Sequence, residues 1–141
     1  MTTKILYTAT ATAHGGREGH VRSSDGLVEL DLKVPKELGG PGGAGSNPEQ
    51  LFAAGYAACF EGAVRYVARE KKVALKDASV TAHVGIGPRQ PTGFGIAVQL
   101  EVSLPGIDRA VAQELVDTAH RDICPYSHAT RGNVDVQIRL V

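Results

Sequence analysis

Polar and apolar residues alternate in four stretches of this chain, and each predicts a half-buried strand. Val28, Leu30 and Leu32 alternate with Glu29, Asp31 and Lys33. Ala78, Val80, Ala82, Val84 and Ile86 alternate with Ser79, Thr81, His83 and Gly85. Ile96, Val98, Leu100, Val102 and Leu104 form the third series, and Val134, Val136, Ile138 and Leu140 the fourth. Residues 4 to 13 alternate loosely and read as a first strand, with Val21 to Ser23 starting another after a glycine-punctuated turn at His14 to His20. Asp25-Gly26 is a hairpin signal. The run from Leu51 to Ala68 has no such alternation. It is apolar on nearly every face up to Arg65 and Arg69, which predicts a long helix buried in a core or an interface. Asn47 as N-cap, Pro48 at the first helical position and Gln50 three residues after the cap mark its start. A second helix is predicted after Asp108, with Val111, Leu115, Val116 and Ala119 on one stripe, ending before Pro125.

The element order is then β-β-β-α-β-β-α-β, which predicts an α+β fold with mainly antiparallel sheet, the strands on residues 78–86 and 96–104 pairing as a hairpin. With 141 residues, 43% of them hydrophobic, one domain spanning 1–141 is expected. The glycine- and proline-rich stretch 35–46 is too short to be an interdomain linker by itself. Fifteen Lys and Arg cancel fifteen Asp and Glu, so no basic field exists to bind nucleic acid or an anionic membrane. No stretch approaches the ~18 apolar residues of a membrane span, and Met1 to Tyr7 carries no leader-like apolar run. The expected compartment is the cytosol, where two cysteines are more often catalytic, metal-binding or inert than joined in a structural disulfide.

Those cysteines sit in distinctive settings. Cys59 lies inside the apolar helix, and Cys124 opens a turn-like run, Cys124-Pro125-Tyr126-Ser127-His128-Ala129-Thr130-Arg131-Gly132-Asn133. If the fold brings them together, the chemistry is thiol redox. Apolar surroundings raise a thiol pKa, so a reactive Cys59 needs a nearby cation or donor. Arg17, in a turn whose glycines permit close approach, is the candidate, and Glu49 is the candidate counter-charge that orients it. Glu49 and Cys59 are ten helical residues apart, roughly 15 Å along the axis. That separation predicts a site shared between two subunits. Two other readings compete: zinc held by His120, Cys124 and His128 at helical spacing, which Pro125 opposes, and a redox sensor without turnover. Tyr126 and Arg131 read as braces of the turn, outside the catalytic set.

Three segments resemble the signatures of organic hydroperoxide resistance proteins, a branch of the osmotically inducible protein C (OsmC) family. They are Gly15-Gly16-Arg17-Glu18-Gly19, the run from Asn47 to Phe60, and the run from Cys124 to Asn133, in the family's order along nearly the whole chain. The resemblance implies a typically bacterial protein with an OsmC-like α+β fold, long central helices and an intertwined homodimer with two interfacial sites. It implies thiol-dependent reduction of alkyl and fatty-acid hydroperoxides, with Cys59 peroxidatic, Cys124 resolving, and Arg17 and Glu49 the activating pair. It implies a lipoylated protein or other dithiol as reductant, and no metal, flavin or haem. His128 departs from the family's more usual Asn. Phe52, Phe60 and Phe94 are candidates for an alkyl-chain pocket, although ordinary core packing is the commoner role for each taken alone.

Overall fold

The computed structural model describes residues 3–141; Met1 and Thr2, the start of the segment read for a leader, lie outside it. The chain divides into two compact units, Met1–Pro48 and Glu49–Val141.

The first unit holds a three-stranded antiparallel sheet, β1 (Ala11–His14), β2 (His20–Ser23) and β3 (Glu29–Asp31), in the order β1-β2-β3. β1 is shorter than the predicted strand, because only residues from Ala11 onward find ladder partners, beginning with Ala11 opposite Ser23. The β1–β2 connection is a single 3-10 turn, Gly16–Glu18, which contains Arg17. Gly15 stands at φ 79° there, and a side chain on Gly19 would collide with the His14 carbonyl, so this turn requires glycine at both positions. The turn from β2 to β3 is tied by Asp25, whose carboxylate accepts from the Ser23 hydroxyl and the Leu27 N–H. Residues 35–46 include a second 3-10 turn, Lys36–Leu38, closed by Gly39 in the left-handed region.

The second unit carries the core. Helix α1 (Pro48–Glu70) buries Tyr56, Phe60, Ala63, Val64, Val67 and Ala68, the i, i+4, i+7 and i+8 stripe of one face. The opposite face leaves Ala54, Ala58, Gly62 and Tyr66 exposed at successive turns. Strands β4 (Ser79–Pro88) and β5 (Phe94–Ser103) pair antiparallel over ten residues, as the two alternating series predict. β6 (Asp135–Leu140) lies parallel to β5, giving the order β4-β5-β6. Three of the four strand pairs are antiparallel, as the mainly antiparallel expectation has it, and the parallel β5–β6 pair makes this unit's sheet mixed. The chain leaves β5, traverses a helical connection and re-enters the sheet in the same direction, as a crossover does.

That connection begins with α2 (Arg109–Thr118), N-capped by Asp108, whose carboxylate accepts from the Val111 N–H at 3.3 Å. It continues through one π-helical turn, Ala119–Ile123, and ends in a short helix α3 (Pro125–Thr130). α3 is absent from the sequence reading, which took Pro125 as a stop. Pro125 occupies the first helical turn, where the missing N–H costs nothing and the fixed φ favours the helix. Val98, Leu100, Val102, Leu115, Val116 and Ala119 pack with the buried face of α1. Leu100 is fully enclosed at the middle of β5. Leu100→Ala is expected to cost about 2–5 kcal/mol, read as a lowered midpoint in denaturant with an unchanged slope. No described helix is long and apolar enough to cross a membrane.

Candidate active site

The two cysteines meet in the second unit. Cys59, on α1, is half-buried; Cys124, at the join of the π turn and α3, is 2% exposed. Their sulfurs lie 3.6 Å apart, with the Cys124 thiol directed at Cys59 Sγ. Both are free thiols. Closing a disulfide, with its S–S bond of about 2.05 Å, needs a sulfur displacement of only about 1.5 Å.

Local structure explains this approach. The π turn carries one residue more than an α turn, closed by Cys124 N–H donating to the Ala119 carbonyl at 2.8 Å. It swings the chain out of α2 so that Cys124 becomes the N-cap of α3. The Cys124 sulfur does what a serine oxygen does at such a position, accepting from the Ser127 N–H at 3.4 Å. The neighbouring Tyr126 N–H lies close enough to Cys59 to lower its thiol pKa. The first turn of α3 thus holds the Cys124 sulfur by a backbone N–H and lies beside Cys59.

The electrostatics of Cys59 are set mainly by burial, which pushes its thiol up to about 11; the Tyr126 N–H pulls in the opposite direction, and the Cys124 thiol adds to the rise. A thiol held there is protonated at neutral pH, so Cys59 needs a further positive group to become a thiolate.

An aromatic group forms on the same helices. Phe52, Tyr56 and Tyr126 contact one another at centroid separations of 5.6 to 6.2 Å. Tyr126 can lie against α1 because residue 55 is glycine: a Cβ there would stand 2.8 Å from the Tyr126 hydroxyl. Of the three phenylalanines suggested by the sequence, Phe52 joins this aromatic group, Phe60 is fully buried in the core, and Phe94 is exposed at the start of β5.

Behind the sulfurs lies a buried polar cluster. The Tyr56 hydroxyl is 2.8 Å from Ser127 Oγ and 3.3 Å from Thr130 Oγ1. Ser127 Oγ is also 2.8 Å from His120 Nδ1. Burial and the Arg131 charge lower the His120 pKa, which favours its neutral form. Arg131 donates to the His120 and Arg121 carbonyls and ties the end of α3 to the π turn, the bracing role its sequence position suggests. His128 is exposed on α3. The zinc reading finds no support in this geometry: Cys124 faces Cys59 and His120 Nδ1 faces Ser127, and no metal-binding group of three or more His, Cys, Asp or Glu forms among the described residues.

Glu49 lies in the first turn of α1, and Arg17 in the 3-10 turn of the first unit. Sequence reasoning missed Tyr56, Ser127 and Thr130, and took His120 only as a candidate zinc ligand. Two signals were available: Tyr56 precedes Cys59 by three residues, nearly one helical turn, and Ser127 follows Cys124 at the spacing of a capping contact.

A family model described as OsmC-like protein matches residues 40–139. An organic hydroperoxide resistance protein of Xanthomonas axonopodis pv. citri is 57% identical over 138 residues, covering 97% of this chain and 96% of that protein. The crystal structure of an organic hydroperoxide resistance protein from Legionella pneumophila superposes with a TM-score of 0.92 at 53% identity, covering 97% of this chain and 98% of that one. The OhrB organic hydroperoxide resistance protein of Bacillus subtilis gives a TM-score of 0.88 at 47% identity, covering 97% and 100%. Matched along nearly its whole length by these bacterial relatives, and with its two thiols brought together, the chain belongs to the OsmC-like family, on its organic hydroperoxide resistance branch.

Proposed function

We propose that this protein is a cysteine-based peroxidase that reduces alkyl and fatty-acid hydroperoxides to alcohols, a defence against organic peroxide stress. The observation that carries the reading is the free pair Cys59 and Cys124 at 3.6 Å, in a chain of this family. Cys59 is the half-buried sulfur that a peroxide can reach, and Cys124 waits behind it.

The Cys59 thiolate attacks the terminal oxygen of the hydroperoxide. The O–O bond breaks, the alkoxide takes a proton and leaves as alcohol, and Cys59 becomes a sulfenic acid. Cys124 then attacks that sulfur, hydroxide leaves as water, and the Cys59–Cys124 disulfide forms. An external dithiol, a lipoyl group in this reading, reduces the disulfide in two exchange steps and departs as its own cyclic disulfide. The cycle draws on the two sulfurs and the dithiol alone. Arg17 supplies the cation that holds the Cys59 thiolate and donates to the departing oxygen, and Glu49 orients Arg17.

The working form in this proposal is an intertwined homodimer of single-domain subunits, with each site completed at the interface. The exposed row of Ala54, Ala58 and Gly62 on α1 supports this, because small side chains let another apolar surface approach closely. The cytoplasm suits the cycle, since its thiol buffers keep both cysteines reduced between turnovers.

The test is hydroperoxide consumption with dihydrolipoamide as reductant, comparing tert-butyl or linoleic acid hydroperoxide with hydrogen peroxide. Turnover preferring the organic substrates is expected. A folded, fully reduced protein that consumes none of them would overturn the proposal.

A further inference from the structure

The peroxidase reading uses the two sulfurs and leaves unexplained why a polar cluster is buried directly behind them. Ser127 is fully enclosed and Thr130 nearly so, and the Tyr56 side chain is completely inaccessible. Burying three hydroxyls beside a half-buried imidazole is costly in a small core unless each finds a partner. Here each does. The Thr130 hydroxyl donates to the Tyr126 carbonyl at 3.0 Å, or to that of Ser127 at 3.2 Å. Its single hydrogen is then spent, so towards Tyr56 it accepts. A head-to-tail chain satisfies all four groups: His120 Nδ1–H to Ser127, Ser127 to Tyr56, Tyr56 to Thr130, and Thr130 to the Tyr126 carbonyl.

The chain's location gives it a function. It starts on the π turn, crosses to α1 one helical turn before Cys59, and ends on the peptide of Tyr126. That residue's N–H lies near Cys59 and lowers its pKa, and the next N–H, that of Ser127, donates to the Cys124 sulfur at 3.4 Å. The hydrogen bonds therefore lock α3 to α1 at the place where the two sulfurs must meet. We propose that Tyr56, Ser127, His120 and Thr130 are positioning residues for the resolving step, holding Cys124 where it can close on oxidised Cys59. This rests on the peroxidase reading and assigns to these four residues a share of the second chemical step alone. Attack on the peroxide needs only Cys59 and its cation. Disulfide closure needs Cys124 in place, and a loosened α3 lengthens the life of the sulfenic acid.

The test separates the two steps in a single turnover. Reduced protein is mixed with one equivalent of cumene hydroperoxide and sampled over time into dimedone, which traps sulfenic acid. Intact mass then counts sulfenic, disulfide and over-oxidised species. Ser127→Ala and Tyr56→Phe are compared with wild type, each of them removing hydroxyl contacts while keeping the packing volume. Loss of one or two buried hydrogen bonds is expected to slow disulfide closure about tenfold or more. First-turnover peroxide consumption should stay within about threefold, and sulfinic acid should accumulate at excess peroxide. Ser127→Thr, which restores the hydroxyl, should recover most of the closure rate. Closure at the wild-type rate in both Ser127→Ala and Tyr56→Phe would overturn the proposal. So would an equal slowing of both steps, the mark of a general loss of structure. If wild type itself consumes no hydroperoxide, the peroxidase reading falls; if wild type turns over and the variants close normally, only the positioning role falls.

Discussion

Cys59→Ser is expected to abolish hydroperoxide turnover, whereas Cys124→Ser should consume one equivalent rapidly and continue only slowly after it. Removing a nucleophile costs an enzyme many orders of magnitude, so Cys59→Ser should retain less than about a thousandth of the wild-type rate. The second variant is the more informative. With no thiol 3.6 Å away to resolve it, the sulfenic acid on Cys59 persists, is trapped by dimedone, and advances to sulfinic acid under excess peroxide. A dithiol can reduce a sulfenic acid directly, so residual cycling in Cys124→Ser should depend steeply on reductant concentration. Wild type should not show that dependence until disulfide reduction becomes limiting. Mass spectrometry of wild type after one equivalent of peroxide should show a loss of two hydrogens and no free thiol. Full multiple-turnover activity in Cys59→Ser would transfer the nucleophile's role to Cys124 and reverse the assignment.

The sequence announces some of this architecture and conceals the rest, for physical reasons. Alternation at Ala78 to Ile86 and Ile96 to Leu104 predicts β4 and β5 and their pairing, because one face of each strand is buried. The same pattern at Val134 to Leu140 predicts β6, but alternation is blind to strand direction, and the parallel pairing with β5 depends on the crossover through α2. α1 was legible from its apolar run and Pro48. α3 was not, since a proline stops a helix that arrives at it and starts one that leaves it. Cys59 and Cys124 stand out as residues, yet no local rule states that they lie 3.6 Å apart; that expectation came with the family resemblance. The cluster of Tyr56, Ser127, His120 and Thr130 escaped notice because a tyrosine in an apolar helix reads as a core ring. Its hydroxyl gains meaning only once a segment some seventy residues further on is folded against it. The site's polar half is thus a product of tertiary packing, and its apolar half is written in the helix.

Arg17→Ala carries the second large expected effect, and pH displays it. Burial places the Cys59 thiol at about 11. At pH 7 a thiol with that pKa is only about one part in ten thousand thiolate. A cation at the sulfur lowers the pKa and enlarges that fraction, and a guanidinium also donates to the oxygen on which charge develops as the O–O bond breaks. Removing it should reduce the rate of hydroperoxide consumption at pH 7 by about 10²–10³-fold. The direction of the pH dependence follows from the same argument. Wild type should reach its plateau near or below neutral pH, while Arg17→Ala should gain about tenfold per pH unit through the neutral and alkaline range, towards the raised thiol pKa. Arg17→Lys keeps the charge and loses the planar fork, so it should retain the wild-type shape of the profile with a lower plateau. Glu49→Gln, which weakens the orientation of Arg17, should fall between the two. Alkylation of Cys59 by iodoacetamide, measured against pH in a Cys124→Ser background, reads thiolate formation without the peroxide step. Superimposable alkylation profiles with and without Arg17 would show that the thiolate is stabilised by some other group, and would confine Arg17 to the transition state of O–O cleavage or remove it from the site.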